Sequence, residues 1–318
     1  MPAGPFWKGY LKRSLVTCPG AMQPVAGAAI PCGAEFRAAA PEGASLNAGA
    51  ASRCGLGGVG MDLQLGQQVV IVTGAASGIG AAAARRLAAE GVGGLVLTDR
   101  DGGGLARLAA ILAPTAAVET VIADLADPGA PATIAGAAVA RFGRIGGLVN
   151  AAGLTTRGSF ETGTAAIWDQ LFTVNARAGF LLMQAAIADM KRRGAAGAIV
   201  NILSMNAHCG IPELAIYAGS KGAMQTLTKN AAHAHMADRI RVNGINLGWV
   251  ATEGERQMQA EVMGRGPGWE ADAARGLPLG RLVTAEECAR LVAFLISEAS
   301  APMSGAVIDF EQKVAGAI

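Results

Sequence analysis

The chain has 318 residues, 52% of them hydrophobic and 16% charged, with a formal net charge of +2; this excludes a disordered polymer and a miniprotein held by disulfides. No Lys/Arg run is long enough to track a phosphate backbone, and the charge-free stretches 63–84 and 194–212 are interrupted by Gly and polar residues, so neither nucleic acid nor a membrane is an expected partner. Five cysteines form no CxxC pair, which points to reduced thiols and a cytoplasmic location.

Residues 1–60 contain six prolines, many Gly and Ala, no Asp, five basic and two acidic residues, and no sustained apolar period. They are expected to be a disordered leader or an over-long translated start ahead of a single domain at 61–318. A basic, acid-poor transit peptide, and with it an organelle location, is the alternative.

From position 67 onward, short Val/Ile/Leu runs alternate with Ala-rich stretches at helical spacing. Strands are expected at 68–73, 94–98, 118–122, 145–149, 198–203, 241–246 and 306–309. Helices are expected at 79–90, 102–112, 129–142, 164–191, 215–236 and 284–297, and residues 254–278 read as an insertion over the carboxyl edge. This rhythm predicts an α/β, Rossmann-like doubly wound sheet of about seven parallel strands with helices on both faces. Such sheets bind ligands at the carboxyl edge.

The first strand leads into Thr73-Gly74-Ala75-Ala76-Ser77-Gly78-Ile79-Gly80 and then a helical run. Three glycines allow a sharp turn and close approach to a pyrophosphate, and the helix N-terminus offers free N–H groups to the anion. Asp99 ends the second strand 19 residues after Gly80. A carboxylate there accepts hydrogen bonds from ribose hydroxyls and repels a 2′-phosphate, which favours NAD over NADP. Two alternatives stay open: Asp99 caps the next helix, or Arg100 pairs with a 2′-phosphate.

Tyr217 and Lys221 stand four apart and share a helix face. A neighbouring ammonium stabilises a phenolate and lowers the tyrosine pKa, so the pair is suited to moving a proton while hydride moves to a nicotinamide. Ser204, at the end of the fifth strand, is placed to hold the reacting oxygen. His233 and His235 point about 200° apart on one helix and cannot chelate a single ion from it. No metal site is expected.

These motifs resemble the short-chain dehydrogenase/reductase family over residues 67–309: the TGxxxGxG loop at 73–80, the NAAG segment Asn150-Ala151-Ala152-Gly153, Trp168-Asp169 with Asn175, Ser204, the YxxxK pair, and Arg241-Val242-Asn243 with Gly248-Trp249-Val250 and Thr252. The resemblance implies that Tyr217 is the general acid/base, that Lys221 binds the nicotinamide ribose, that Ser204 polarises the substrate oxygen, and that Asn175 holds a water linking Lys221 to solvent. It places Thr73, Gly74, Ser77, Gly78, Ile79, Gly80, Asp99, Arg100, Asp124, Asn150, Ala151, Gly153, Tyr217, Lys221, Val250 and Thr252 around the cofactor. Two departures stand out: Leu247 replaces the usual proline, and Asp309-Phe310-Glu311-Gln312 replaces a terminal DGG.

The expected activity is NAD-dependent interconversion of a secondary alcohol and a ketone. Asn206, His208, Trp249 and Glu253 are candidates to face the substrate, which favours a sugar or polyol. The alternatives are an NADP-dependent 3-oxoacyl thioester reductase, disfavoured by Asp99 and Ser77, and a non-catalytic NAD(H)-sensing protein, disfavoured by the intact Ser204, Tyr217 and Lys221. A homo-oligomer, tetramer or dimer, is implied through the helix at 215–236 and the last strand.

Overall fold

In the computed structural model, which describes residues 62–266 and 268–315, Val69–Thr73 is a run of β-branched residues buried along its whole length. A strand covered on both faces is what the centre of a parallel sheet requires. This strand, β1, is followed in chain order by α1 (Gly78–Ala89), β2 (Gly94–Asp99), α2 (Gly102–Leu112), β3 (Val118–Ile122), α3 (Ala130–Phe142) and β4 (Gly147–Asn150). Then come α4 (Ala165–Phe172), α5 (Ala178–Arg192), β5 (Gly197–Ser204), α6 (Ala215–His235), β6 (Ile240–Leu247) and β7 (Val250–Ala251). The chain continues through α7 (Glu253–Gln257), α8 (Trp269–Arg275), β8 (Val283–Thr284), α9 (Ala285–Ile296) and β9 (Val307–Phe310).

Seven strands form one sheet in the order β3-β2-β1-β4-β5-β6-β9, every neighbouring pair parallel. One apolar layer joins Leu87 of α1, Leu105 of α2 and Val292 of α9 to the sheet, and a second joins Ile134 of α3, Leu182 of α5 and Met224 of α6. The strand order reverses between β1 and β4, so a crevice opens outside their carboxyl ends. The doubly wound sheet is therefore as expected. The leader expected at 1–60 lies outside the described residues.

The helix expected at 164–191 is interrupted. Thr173–Arg177 between α4 and α5 is a π-helical turn, a feature that shifts the hydrogen-bond ladder and concentrates at functional sites. The whole stretch Ala165–Arg192 is long and apolar enough by composition to cross a membrane, but half of its apolar 18-residue window is buried within this domain. Leu182, Met183, Ala186 and Met190 pack under the sheet, which is the behaviour of a core helix. The short parallel ribbon β7–β8, outside the main sheet, was not expected.

Candidate active site

The glycine-rich loop folds where backbone must meet backbone. Gly74 has φ +65°, and a Cβ there would lie 2.8 Å from the Ala152 Cα; a Cβ on Gly80 would lie 2.2 Å from the Gly74 carbonyl oxygen. Only glycine fits either place. Ser77 is the N-cap of α1 with no side-chain cap bond, so the first turn Gly78-Ile79-Gly80 keeps its N–H groups for a ligand. Such a cradle of bare backbone at a helix N-terminus fits a pyrophosphate.

Asp99 accepts hydrogen bonds from the Ala76 N–H at 3.1 Å and the Asp101 N–H at 3.1 Å. The cap of α2 is Asp101, which accepts from Gly104 N at 3.0 Å; the alternative role of Asp99 as that cap is overturned. Its carboxylate lies against the loop at the tip of β2, where an adenosine ribose would sit. Arg100 next to it is exposed and has no partner among the described residues. Asp124 is exposed just past β3 and accepts from Ala126 N at 2.8 Å.

Several residues expected around the cofactor also hold the crevice together, among them the NAAG segment, expected to support the central strand. The Thr73 hydroxyl is buried and accepts from Ala151 N and Ala152 N, each at 3.0 Å, so it ties β1 to the end of β4 and has no free face toward a ligand. Asn150 is buried and donates to Asn201 Oδ1 at 2.8 Å, fastening β4 to β5. Gly153 lies beside Lys221, where a Cβ would come 3.3 Å from Nζ. Val250 is buried and pairs with Val283. Thr252 caps α7 by accepting from Glu255 N at 3.2 Å, and its methyl would lie 3.5 Å from a Cβ on Gly78. The start of α7 thus stands over the start of α1.

Ser204, Tyr217 and Lys221 come together at the carboxyl edge, all buried. Ser204 Oγ accepts from Asn206 N at 3.2 Å and Asn206 Nδ2 at 3.3 Å. With both lone pairs engaged, what the hydroxyl has left to offer is its proton. It lies within hydrogen-bond reach of the Tyr217 phenol. Lys221 Nζ donates to the Ile202 carbonyl at 2.8 Å and lies 6.0 Å from the Tyr217 ring centroid. Burial lowers the lysine pKa to about 8.

The expected lowering of the Tyr217 pKa does not hold in this geometry. Burial raises it, the Ser204 hydrogen bond lowers it, and the negative charge of Glu255 raises it further. The physical reason is that Lys221 is bonded to a backbone carbonyl, not to the phenol.

Asn175 makes a dense set of contacts. Its Oδ1 accepts from Leu154 N at 2.8 Å, and its Nδ2 donates to Leu154 O at 2.9 Å and Ser220 Oγ at 3.0 Å. The side chain clamps the backbone after β4, and both amide protons are used. A cavity of about 10 Å³ lined by Thr73, Asn175, Asn201 and Lys221 has room for about one water.

Of the four substrate candidates, Asn206 sits on Ser204, and Trp249 is half-buried with its indole donating to Glu255 Oε1 at 2.6 Å. His208 is turned to the last strand: Nε2 lies 2.8 and 3.0 Å from the Asp309 carboxylate oxygens, with Asn246 Nδ2 at 3.2 Å. Glu253 points away, with its side chain 83% exposed and paired to Arg256 at 3.6 Å. Glu255, two positions on and so on another face of α7, is half-buried and accepts from the Trp249 indole. Thr252-x-x-Glu255 has capping-box spacing, which was the available signal for the helix start.

The two departures from the family pattern meet each other. Leu247 occupies a ladder position between Ser204 and Phe310 that extends β6, and Glu311 Oε2 accepts from Trp249 N at 3.1 Å. That carboxylate fills the space beside Gly248, where a Cβ would lie 1.3 Å from it.

A family model described as enoyl-(acyl carrier protein) reductase matches residues 74–311. The chain is 35% identical over 249 residues to 2-(S)-hydroxypropyl-CoM dehydrogenase 3 of Xanthobacter autotrophicus, covering 77% of this chain and 96% of that protein. It is 35% identical over 256 residues to D-threitol dehydrogenase of Mycolicibacterium smegmatis, covering 79% and 95%. Among solved structures, L-sorbose reductase of Gluconobacter frateurii in complex with NADPH and L-sorbose superposes with a TM-score of 0.77 at 27% identity, covering 81% of this chain and all of that one.

Proposed function

From its membership of the short-chain dehydrogenase/reductase family, in which this chain is an oxidoreductase interconverting secondary alcohols and ketones, we propose that it works with NAD, on a sugar or polyol, through Tyr217. The observation that carries the reading is the meeting of Ser204, Tyr217 and Lys221 at the carboxyl edge, on the same edge as the bare glycine loop. Bound at that loop, a nicotinamide cofactor supplies the hydride acceptor for oxidation and the donor for reduction. Ser204 donates its proton into a hydrogen bond with the substrate oxygen, which fixes that oxygen against Tyr217. Tyr217 takes the alcohol proton during oxidation and returns it during reduction. The Lys221 ammonium has two N–H groups beyond its bond to Ile202, free for a ribose hydroxyl.

The preference for NAD is supported by Asp99, whose carboxylate at the loop repels a 2′-phosphate. A second reading, use of NADP, is favoured by the exposed guanidinium of Arg100, which has no partner among the described residues. Comparing kcat/KM for the two cofactors decides: greater efficiency with NADP(H) would overturn the NAD reading, and Asp99→Ala is expected to narrow the preference. The polyol reading is supported by the similarity to D-threitol dehydrogenase and L-sorbose reductase.

Assembly into a homo-oligomer is supported by an apolar groove lined by Trp168, Phe172, Phe180, Ala223 and Leu227 on α4, α5 and α6. Trp168 is 50% and Phe180 43% exposed. A cytoplasmic location is supported by Cys209 and Cys288, both free thiols.

A further inference from the structure

Asp309-Phe310-Glu311-Gln312, the segment that departs from the family pattern, meets three separate stretches of chain around the site. Asp309 accepts from the buried Asn246 Nδ2 at 2.8 Å, and its carboxylate oxygens lie 2.8 and 3.0 Å from His208 Nε2, which donates to them. His208 closes the turn that follows Ser204: its N–H donates to the Met205 carbonyl at 3.1 Å, and Asn206 within that turn holds Ser204 Oγ. Glu311 Oε2 accepts from Trp249 N at 3.1 Å. Gln312 Oε1 accepts from Leu279 N at 2.8 Å and its Nε2 donates to the Arg281 carbonyl at 2.7 Å, so one amide holds the chain on both sides of Gly280.

Trp249 and the stretch 279–281 are the two feet of one arch. Residues 252–282, which carry α7 and α8, leave through β7 and return through β8; these strands pair with each other, and Val283 N donates to Trp249 O at 3.2 Å. The entering foot begins beside the active-site serine, because Leu247 is the ladder partner of Ser204. It ends above the glycine loop, where the Thr252 methyl would lie 3.5 Å from a Cβ on Gly78. The arch packs back on the same foot through Trp269 of α8, whose ring centroid is 5.6 Å from that of Trp249. Two adjacent side chains at the end of the chain thus hold both feet, and a third holds the turn after Ser204.

We propose that Asp309, Glu311 and Gln312 are positioning residues: Glu311 and Gln312 set the arch over the glycine loop, and Asp309, through His208, sets Ser204. This rests on the roles given above to that loop and to Ser204. The two arms have separate consequences. A displaced arch loosens the hold on the cofactor in ground and transition states alike, which weakens binding. A displaced Ser204 loses a bond that counts most in the transition state, and a misplacement of about 1 Å is enough to lower kcat.

The test compares the full-length wild type with Glu311→Ala, Glu311→Gln, Gln312→Met and Asp309→Ala, each checked by circular dichroism and by its urea midpoint. Three quantities are read: the Kd of NADH or NADPH, whichever binds more tightly, by fluorescence; the kcat at saturating cofactor; and the rate of trypsin cleavage after Arg281, whose next residue Leu282 is buried. Turnover is measured on whichever of a secondary butanol, the butanediol with adjacent hydroxyls and D-threitol the wild type oxidises fastest. Glu311→Ala and Gln312→Met are expected to raise the cofactor Kd and the cleavage rate at least about fivefold, with kcat within about twofold. Glu311→Gln keeps an acceptor for Trp249 N and is expected to restore both quantities to near wild type. Asp309→Ala is expected to lower kcat at least about tenfold with the cofactor Kd and the cleavage rate unchanged. If one of the two arch variants does not fold, the other carries that arm. Wild-type Kd and cleavage in the folded arch variants would overturn the proposal. So would a parallel loss of affinity, kcat and urea midpoint in every variant, which is general loosening. A wild type that binds cofactor but oxidises none of the three alcohols would overturn the catalytic reading and the Asp309 arm with it, while affinity and cleavage would still decide the arch.

Discussion

Tyr217 is the residue on which the chemistry turns, and its surroundings set a measurable pH dependence. Its pKa is raised first by burial, and the Ser204 hydrogen bond lowers it while the Glu255 carboxylate raises it. A nearby negative charge penalises the phenolate, so removing it lowers the pKa and makes the proton acceptor available at lower pH. The rising limb of kcat/KM for alcohol oxidation is therefore expected to move to lower pH in Glu255→Gln, and an unmoved limb would show that Glu255 does not act on Tyr217. Ser204, Tyr217 and Lys221 were legible in the sequence because strand-end and helical spacing put them on one edge. The Tyr217 pKa and the Asn175 contacts were not, because both depend on which backbone groups Lys221 and Asn175 find as partners. Glu255 was missed for a geometric reason: the phase of α7 depends on Thr252 as its cap, and a shift of two positions turns an exposed Glu253 into the candidate.

At the level of the elements, the strands were legible because their apolar runs are continuous and buried on both faces, as in β1 and β5. The break between α4 and α5 was not, since Thr173–Arg177 contains neither Gly nor Pro and looks helical locally. The two-residue strands β7 and β8 are too short to show a period. Arg241 at the start of β6 illustrates how a motif residue joins elements: buried, it donates to the carbonyls of Leu295 and Ser297 and to Ser300 Oγ, at the carboxyl end of α9. Arg241→Met is expected to cost about 3 kcal/mol, because three buried acceptors lose a donor, read from the shift of the urea midpoint. A midpoint unchanged from the wild type would contradict this. Gly248 and Glu311 form a second junction. Gly248→Ala is expected to displace the Glu311 carboxylate and lose its bond to Trp249 N, for about 1 kcal/mol. Adding Glu311→Gly should then cost little more, so the double variant measures coupling, and strict additivity would mean that the two positions do not act together.

Across the described domain, the order of the seven strands places a crevice between β1 and β4, and the glycine loop and the catalytic residues stand at that same carboxyl edge. The groove on α4, α5 and α6 lies on the outer face of one helical layer. Light scattering is expected to give a mass of two or four chains, and Phe180→Asp to shift it toward one; a wild-type monomer that is fully active would remove the oligomer from the account. The sheet class was legible from the strand–helix rhythm alone, whereas what covers the helix faces was not, because an Ala- and Gly-rich helix reads the same whether buried in its own chain or against another. The central claim is that Tyr217 carries the proton in a nicotinamide-linked oxidation of a secondary alcohol. Its most direct test is NADH formation measured spectrophotometrically for the wild type and Tyr217→Phe, with cofactor binding followed in parallel by NADH fluorescence. The account predicts steady NADH production by the wild type, a kcat at least about a hundredfold lower in Tyr217→Phe, and nearly unchanged NADH binding. Turnover by Tyr217→Phe close to that of the wild type would contradict it.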